Sequence, residues 1–424
     1  MTHDLVTTIF LVFLGVSLLL QVWLARRQIR HVSAHRDRVP EGFSEVISYQ
    51  SHIKAADYTC AKQRFWLVQL AFGTSALLIW TLGGGLALLN ESVLSAFGGE
   101  EAVADSLLYP VALVLLFTLI GNVVELPLEW YRNFRIEEKF GFNRMTLRLW
   151  MSDILKSTLL SIVIGIPLIA AVLWLMGAAG PAWWLWAWGL WMAFNLLLMV
   201  VYPLFIAPLF NEFKPLKDET LRARVNALMQ RCGFSAKGLF VMDGSKRSAQ
   251  SNAYFTGIGR SKRVVFYDTL LVRLSTGELE AVLAHELGHF HHKHIIKLIA
   301  GLFVMSLIGL AALGWVAQQP SFYLGFGVTP NASASNDALA LLLFLLVLPC
   351  VSVVASPLSS RRSRAYEFQA DAYAKKQSSG ADLASALVKL TEDNASTLTP
   401  DPWYVQFNYS HPPVIERLAA LKTV

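Results

Sequence analysis

The strongest constraint on the fold is a set of seven apolar stretches, each long enough to cross a lipid bilayer. A transmembrane helix needs about 20 predominantly apolar residues. The stretches that meet this requirement lie near residues 6–25, 65–89, 107–127, 154–176, 183–205, 295–317 and 338–356. One soluble core cannot hide so much apolar chain, since 54% of the 424 residues are hydrophobic and only 16% are charged. The sequence therefore predicts an all-α integral membrane protein with seven transmembrane helices.

The distribution of Lys and Arg between these stretches predicts the orientation in the membrane. Segment 26–64 carries eight Lys and Arg residues, whereas segments 91–105 and 318–337 carry none. Because cytoplasmic loops are enriched in basic residues, we expect the N-terminus outside and the C-terminus inside. The segments expected in the cytoplasm are 26–64, 128–153, 206–294 and 357–424. The net charge of +6 is explained by this loop bias, and no basic run interleaved with aromatic residues indicates nucleic acid as a partner.

The polar sequence outside the spans is long enough to form two folded cytoplasmic blocks. We expect four parts in all: helices 1–5 with their loops at 1–205, a first block at 206–294, two more spans at 295–356, and a second block at 357–424. In the first block, the sequence predicts a helix at 219–231, strands at 252–257 and 263–268, and a helix that opens with a capping box at Ser275 and Glu278 and runs into the sixth span. In the second block, it predicts helices at 361–377, at 381–393 and from Pro413.

The predicted helix at 278–294 carries two histidines and a glutamate in the spacing of a metal site. His285 and His289 are four residues apart, so they lie one above the other on the same face of a helix. Two imidazole nitrogens can then bind one tetrahedral zinc ion. Glu286 lies about 100° further round the helix, where it can reach a water molecule beside the metal. This HExxH pattern predicts a zinc metalloprotease, and the alternative is a solvated, histidine-rich helix.

A catalytic zinc ion usually takes three protein ligands, so a third must come from elsewhere in the chain. Glu367, on the predicted helix at 361–377, is the best candidate, and a charged helix surface is the alternative. Asp371 lies four residues later on the same face, where its carboxylate can accept the outer N–H of a zinc-bound imidazole. His291, His292 and His294 are interpreted as interfacial or helix-end residues rather than ligands.

Several segments, taken together and in order, resemble the type-I CaaX prenyl proteases, which are integral-membrane zinc proteases. They include HELGH at 285–289, EFQAD at 367–371, LPLEWYRNFRIEEKFGFNRMT at 126–146, SNAYFTG at 251–257 and YSHPPVIERLAAL at 409–421. The resemblance covers nearly the whole chain. It implies seven helices that enclose a large water-filled chamber, with a zincin-like cytoplasmic catalytic region that contains a small β-sheet and faces the chamber.

The resemblance also implies roles for individual residues. The metal ligands for one zinc ion are implied to be His285, His289 and Glu367, with Glu286 as general base. Asp371 is implied to support a ligand histidine or to donate a proton. The remaining implied roles are substrate contacts: Asn252 and its strand hold the substrate backbone, and His411 and Arg417 approach the scissile carbonyl.

The implied substrate is a peptide or protein whose C-terminal tripeptide is removed, with or without a prenyl group. The C-terminal sequence LAALKTV shows no retrieval signal, which favours a bacterial inner membrane over the alternative, the endoplasmic reticulum. In a bacterium, quality control of membrane proteins becomes the alternative role. The non-enzyme alternatives are a seven-helix transporter and a catalytically silent scaffold. The spans contain almost no ionisable residue except Glu125, and the HExxH motif is intact, so we expect neither.

Overall fold

The structure is a computed structural model, and it describes residues 2–234, 238–256 and 263–422. Most of this chain is helical. The α-helices in these ranges are α1 (His3–Ala34), α2 (Tyr49–Trp80), α3 (Gly85–Ala96), α4 (Leu108–Tyr131), α5 (Leu147–Ala178), α6 (Trp183–Val201), α7 (Ala207–Phe210), α8 (Glu219–Arg231), α9 (Asp268–Arg273), α10 (Thr276–His291), α11 (His294–Val316), α12 (Pro320–Gly325), α13 (Asp337–Gln377), α14 (Gly380–Asp393), α15 (Pro402–Asn408) and α16 (Val414–Lys422). The strands are β1 (Phe213–Pro215), β2 (Gly238–Met242), β3 (Ala253–Thr256) and β4 (Arg263–Tyr267).

Within the described ranges, six helical segments are long and apolar enough to cross a membrane. They are α1, α4 with the turn that follows it to Glu137, α5, the segment Gly180–Phe210 around α6, α11 and α13. Helices α2 and α3 pass the same test together, although they are bent by 52° at the break between them. The seven predicted spans are therefore present when this bent pair counts as one span.

The second span is not the single helix that the apolar stretch 65–89 predicts. Helix α2 ends at Trp80, and α3 begins at Gly85, the last of three consecutive glycines. Gly84 has a φ of +76°, a backbone conformation that glycine adopts without the steric penalty that a Cβ atom brings. The prediction of one continuous helix was wrong here, because the apolarity of a stretch does not indicate where glycines allow the helix to break.

Helix α13 joins the seventh span to the polar block at 357–424. It runs without interruption for 41 residues, so the predicted separate helix at 361–377 is its C-terminal part. At about 1.5 Å per residue the helix is about 60 Å long, about twice the hydrocarbon core of a bilayer. Its second half therefore carries Glu367 and Asp371 out of the membrane and into the polar region beside the sheet.

The sequence also predicts one helix from Glu278 into the sixth span, and this prediction was wrong. Helix α10 ends at His291, and α11 begins at His294. Lys293 between them has a φ of +57°, in the left-handed region, so the chain changes direction there. The capping box that opens α10 is confirmed: Ser275 accepts from the Glu278 N–H, and the Glu278 side chain accepts from the Ser275 N–H.

A four-stranded sheet with the order β1-β2-β4-β3 lies beside α10. Strands β2 and β4 are parallel, and β3 pairs antiparallel with β4 through Ala253 opposite Phe266. The predicted strands at 252–257 and 263–268 are confirmed as β3 and β4, although Asn252 precedes β3 and Asp268 begins α9. Gly257 lies outside the described residues. β1 and β2 were not predicted. In the described part of the sheet, β3 is an edge strand with one side open for pairing.

A second hydrophobic core, outside the predicted membrane spans, fixes α10 between the sheet and α14. Leu228, Phe266, Leu283 and Leu287 are each no more than 1% exposed and belong to one apolar cluster. Since these residues hold one face of α10 in the core, the opposite face, with its histidines, is turned towards α13.

Candidate metal centre

Three side chains from α10 and α13 converge on one point. The Nε2 atoms of His285 and His289 are 3.2 Å apart. His285 Nε2 lies 3.4 Å from Glu367 Oε2, and His289 Nε2 lies 3.3 Å from Glu367 Oε1. These are the residues of the described chain that form a group able to hold a metal ion, with their ligand atoms all within 4.8 Å of one another.

The arrangement fits a tetrahedral zinc ion. Donor atoms about 2.1 Å from zinc at tetrahedral angles are separated by about 3.4 Å. The two imidazole nitrogens are 3.2 Å apart, and each lies 3.3 or 3.4 Å from one of the two Glu367 oxygens. Glu367 is buried, yet its Oε2 atom has no hydrogen-bond partner among the described residues. A buried carboxylate oxygen without a partner is costly, and a cation at the centre of the three donors would remove that cost.

The outer nitrogen of His285 is held by a carboxylate. Its Nδ1–H donates to Asp371 Oδ1 at 2.8 Å, which leaves Nε2 free to face the other donors. Asp371 in turn accepts two hydrogen bonds from Arg417, at 2.8 and 2.6 Å. Burial lowers the pKa of His285, but the hydrogen bond to Asp371 and the nearby Glu367 carboxylate outweigh it and raise the pKa to about 9. The same carboxylates that favour a positive imidazole favour a bound cation.

The outer nitrogen of His289 is held by a residue that the sequence analysis did not assign to the site. His289 Nδ1 lies 3.1 Å from His294 Nδ1, and His294 Nε2 lies 2.9 Å from Gln369 Oε1. If His289 keeps Nε2 free for a metal, its Nδ1–H donates to His294, whose Nε2–H donates to Gln369. In one continuous helix His294 would point about 140° away from His289. The turn at Lys293 brings it back, and no spacing in the sequence signals that turn.

The centre opens into a cavity of about 1180 Å³. Glu286, His411, Arg417 and Asn252 line its wall together with the three donors. His411 is on the loop before α16, with its side chain 67% exposed and its Nε2 atom 3.5 Å from Glu367 Oε1. Asn252 lies at the start of β3, and its Oδ1 accepts from the Ala253 N–H. The structure thus brings every residue named for the site to one cavity or its immediate support.

A bundle of membrane-spanning helices with a His–His–Glu centre and a neighbouring glutamate defines the class of an integral-membrane metalloprotease. Two family models match the chain: "CAAX prenyl protease N-terminal, five membrane helices" over residues 28–212, and "Peptidase family M48" over residues 215–424. The chain belongs to peptidase family M48 and, within it, to the CAAX prenyl proteases.

Relatives and a solved structure match almost the full length. CAAX prenyl protease 1 of Saccharomyces cerevisiae is 34% identical, over 95% of this chain and 92% of its own. The homologue from Oryza sativa subsp. japonica is 33% identical, over 97% and 96%. The crystal structure of S. mikatae Ste24p superposes with a TM-score of 0.91 at 30% identity, over 98% of this chain and 99% of that one.

These comparisons confirm the fold class, the family and the function of a zinc-dependent membrane endopeptidase. A multi-pass membrane location is likewise confirmed. The transporter and silent-scaffold alternatives receive no support. The relatives named here come from eukaryotes, so the expectation of a bacterial relative in an inner membrane is not supported either.

Proposed function

We propose that His285, His289 and Glu367 hold one zinc ion and that Glu286 is the general base for peptide hydrolysis. The observation that carries the proposal is the convergence of two imidazole nitrogens, 3.2 Å apart, on the buried Glu367 carboxylate, whose two oxygens lie 3.3 and 3.4 Å from them. Two imidazoles and one carboxylate are the ligand set of a catalytic zinc with one position left open.

Bound zinc supplies Lewis acidity, which polarises the scissile carbonyl and lowers the pKa of water to about 7. Glu286 then takes the proton of the attacking water and passes it to the departing amine. His411, exposed at the rim of the centre, donates a hydrogen bond to the oxyanion that develops on the carbonyl. Asp371 keeps the His285 ring in the orientation that presents Nε2. Arg417 stabilises Asp371 and adds positive charge 3.6 Å from Glu367.

We propose that the substrate peptide pairs with the open edge of β3 beside Asn252. Main-chain hydrogen bonds to an edge strand give affinity with little demand on side-chain sequence. The proposed substrate is a C-terminal CaaX-type peptide that carries a prenyl group, and the protein releases its last three residues. The support is the near full-length match to relatives whose name is CAAX prenyl protease 1.

We propose that the metal centre lies on the cytoplasmic side of the membrane. Two basic segments of the membrane region contact the catalytic region. Arg27 at the end of α1 pairs with Asp401 at 2.9 Å, and Asp153 in α5 pairs with Arg247 at 2.8 Å. Segment 26–64 is the most basic of the loops, which favours the cytoplasm for this side.

The segments 91–105 and 318–337, which contain no Lys or Arg, contact each other. Glu100 accepts hydrogen bonds from the Ala332 and Ser333 N–H groups at 2.7 and 2.9 Å. A cysteine placed at exposed Asp105 is expected to react with a membrane-impermeant maleimide from outside, and one placed at Arg38 only after permeabilisation. The reversed pattern would overturn the proposed orientation.

The test of the chemistry is metal analysis combined with a peptidase assay on purified full-length protein. We expect one zinc per chain, loss of cleavage with a chelator, and recovery on adding zinc. His285→Ala is expected to lose the metal itself. Farnesylated and unmodified forms of one peptide report on the prenyl group. Cleavage that persists at full rate in metal-depleted protein would refute the proposal.

A further inference from the structure

The cavity that holds the metal centre also carries a lysine that forms no ion pair among the described residues. Lys62, Arg247 and Arg417 are the Lys and Arg residues that line it. Arg247 is engaged by Asp153 and Arg417 by Asp371, each through two hydrogen bonds. For Lys62, the described part of the chain shows no hydrogen bond and no ion pair. The Lys62 side chain is exposed to the space of the cavity, so its ammonium group is accessible to a ligand of opposite charge.

Tyr58 fixes the position of this ammonium group. The Lys62 Nζ atom lies 3.9 Å from the centre of the Tyr58 ring, within the range of a cation–π contact. The Tyr58 hydroxyl donates to Glu137 at 2.8 Å and interacts with the Gln250 side chain. Glu137 acts on Lys62 electrostatically but forms its close contact with Tyr58. The contact with the Tyr58 ring therefore holds the ammonium group in place while its N–H donors remain available.

The contact with Gln250 places this lysine relative to the edge strand. Gln250 lies two residues before Asn252, at the N-terminal end of β3, and both line the cavity. A peptide that pairs antiparallel with β3 ends with its own C-terminus at that end of the strand. The C-terminus of such a peptide would lie towards Gln250, whose side chain interacts with Tyr58.

We propose that Lys62 binds the free α-carboxylate of the substrate's last residue. This proposal rests on the function proposed above, since it assigns the substrate class of the same cavity: peptides that end a few residues beyond the cleaved bond. A peptide α-carboxyl group has a pKa of about 3.5 and is ionised at neutral pH. A charge-assisted hydrogen bond from Lys62 would then select chain ends over internal segments.

The test compares two peptides that differ only at the C-terminus, one a free acid and one an amide. With the zinc-loaded full-length protein, kcat/KM is expected to be about 10-fold to 100-fold higher for the acid. Lys62→Met is expected to raise KM for the acid and bring the acid-to-amide ratio close to one, whereas Lys62→Arg retains a preference for the acid. Zinc content and thermal unfolding of each variant verify that it is folded.

Lys54→Met is the matched control. Lys54 is on the same helix, its Nζ atom lies 4.8 Å from the centre of the Phe142 ring, and it does not line the cavity. The Lys54→Met variant is expected to have the same ratio of kcat/KM for acid and amide as the unaltered protein. Equal cleavage of acid and amide by the unaltered protein, or an unchanged ratio in Lys62→Met, would overturn the role of Lys62. Absence of chelator-sensitive cleavage of either peptide would instead refute the proposed protease chemistry.

Discussion

A methyl group added at Gly288 is expected to disrupt the metal centre without altering any proposed ligand. A Cβ atom at this position would lie 2.9 Å from Ala370 Cα, 3.1 Å from Ala370 O and 3.2 Å from Tyr373 Cβ. Non-bonded carbon atoms pack at about 3.5–4.0 Å. Because two of the obstructing atoms are backbone, α10 and α13 must separate by about 0.6 Å or more at this contact.

That separation acts directly on the donor atoms. His285 and His289 flank Gly288 on α10, and Glu367 lies three residues before Ala370 on α13. Zinc sites tolerate changes of about 0.2 Å in ligand distance, about a third of the displacement. Overpacking of this kind costs about 1–3 kcal/mol. If the cost is taken from the metal-bound state, zinc affinity falls by about 5-fold to 150-fold.

The assay is competition for zinc between Gly288→Ala protein and a chelator of known affinity, with peptide cleavage measured in parallel. The control is Gly309→Ala on α11, where an added Cβ meets nothing within 4 Å. We expect the control to match the unaltered protein in both measurements. If Gly288→Ala binds zinc and cleaves peptide as well as the control, the close helix contact does not set the geometry of the centre, and the reasoning is refuted.

Three other substitutions test separate parts of the structure. Glu286→Gln is expected to retain zinc and lose turnover, and cleavage at the original rate would exclude Glu286 as the base. His294→Ala is expected to weaken zinc binding by about 10-fold to 100-fold, because it removes the support of His289; unchanged affinity would show that this support is not needed. Burial raises the pKa of Glu278, but hydrogen bonds from Lys389 and Ser385 outweigh it and lower the pKa to about 2. The ionised Glu278 carboxylate therefore contributes at most about 3 kcal/mol to the free energy of unfolding. The contribution is present above about pH 4.5 and is lost as the pH falls towards 2. Glu278→Gln is therefore expected to lower the unfolding temperature at pH 7, with a difference from the unaltered protein that shrinks in acid and that Glu219→Gln at the exposed start of α8 does not show.

Features that depend on neighbours in sequence were predictable. The seven spans follow from the length and apolarity of each stretch. The capping box at Ser275 and Glu278 follows from residues three positions apart. The pairing of His285 with His289 follows from the pitch of one helix. Each of these properties is complete within a single element, so the sequence by itself determined them, and with them the class of protein and its chemistry.

Features that depend on contacts between distant elements were decided only by the tertiary structure. His294 reaches His289 because Lys293 adopts a left-handed backbone. Arg417 meets Asp371, 46 positions away in the chain, and Lys62 meets the cavity through the fold of α2 against the catalytic region. A contact between two side chains on distant elements depends on how several helices pack together. The periodicity of either helix alone does not predict that contact. The physical reason is that the pitch of a helix specifies which of its own residues share a face, whereas the partner of that face is selected by the burial of the whole molecule.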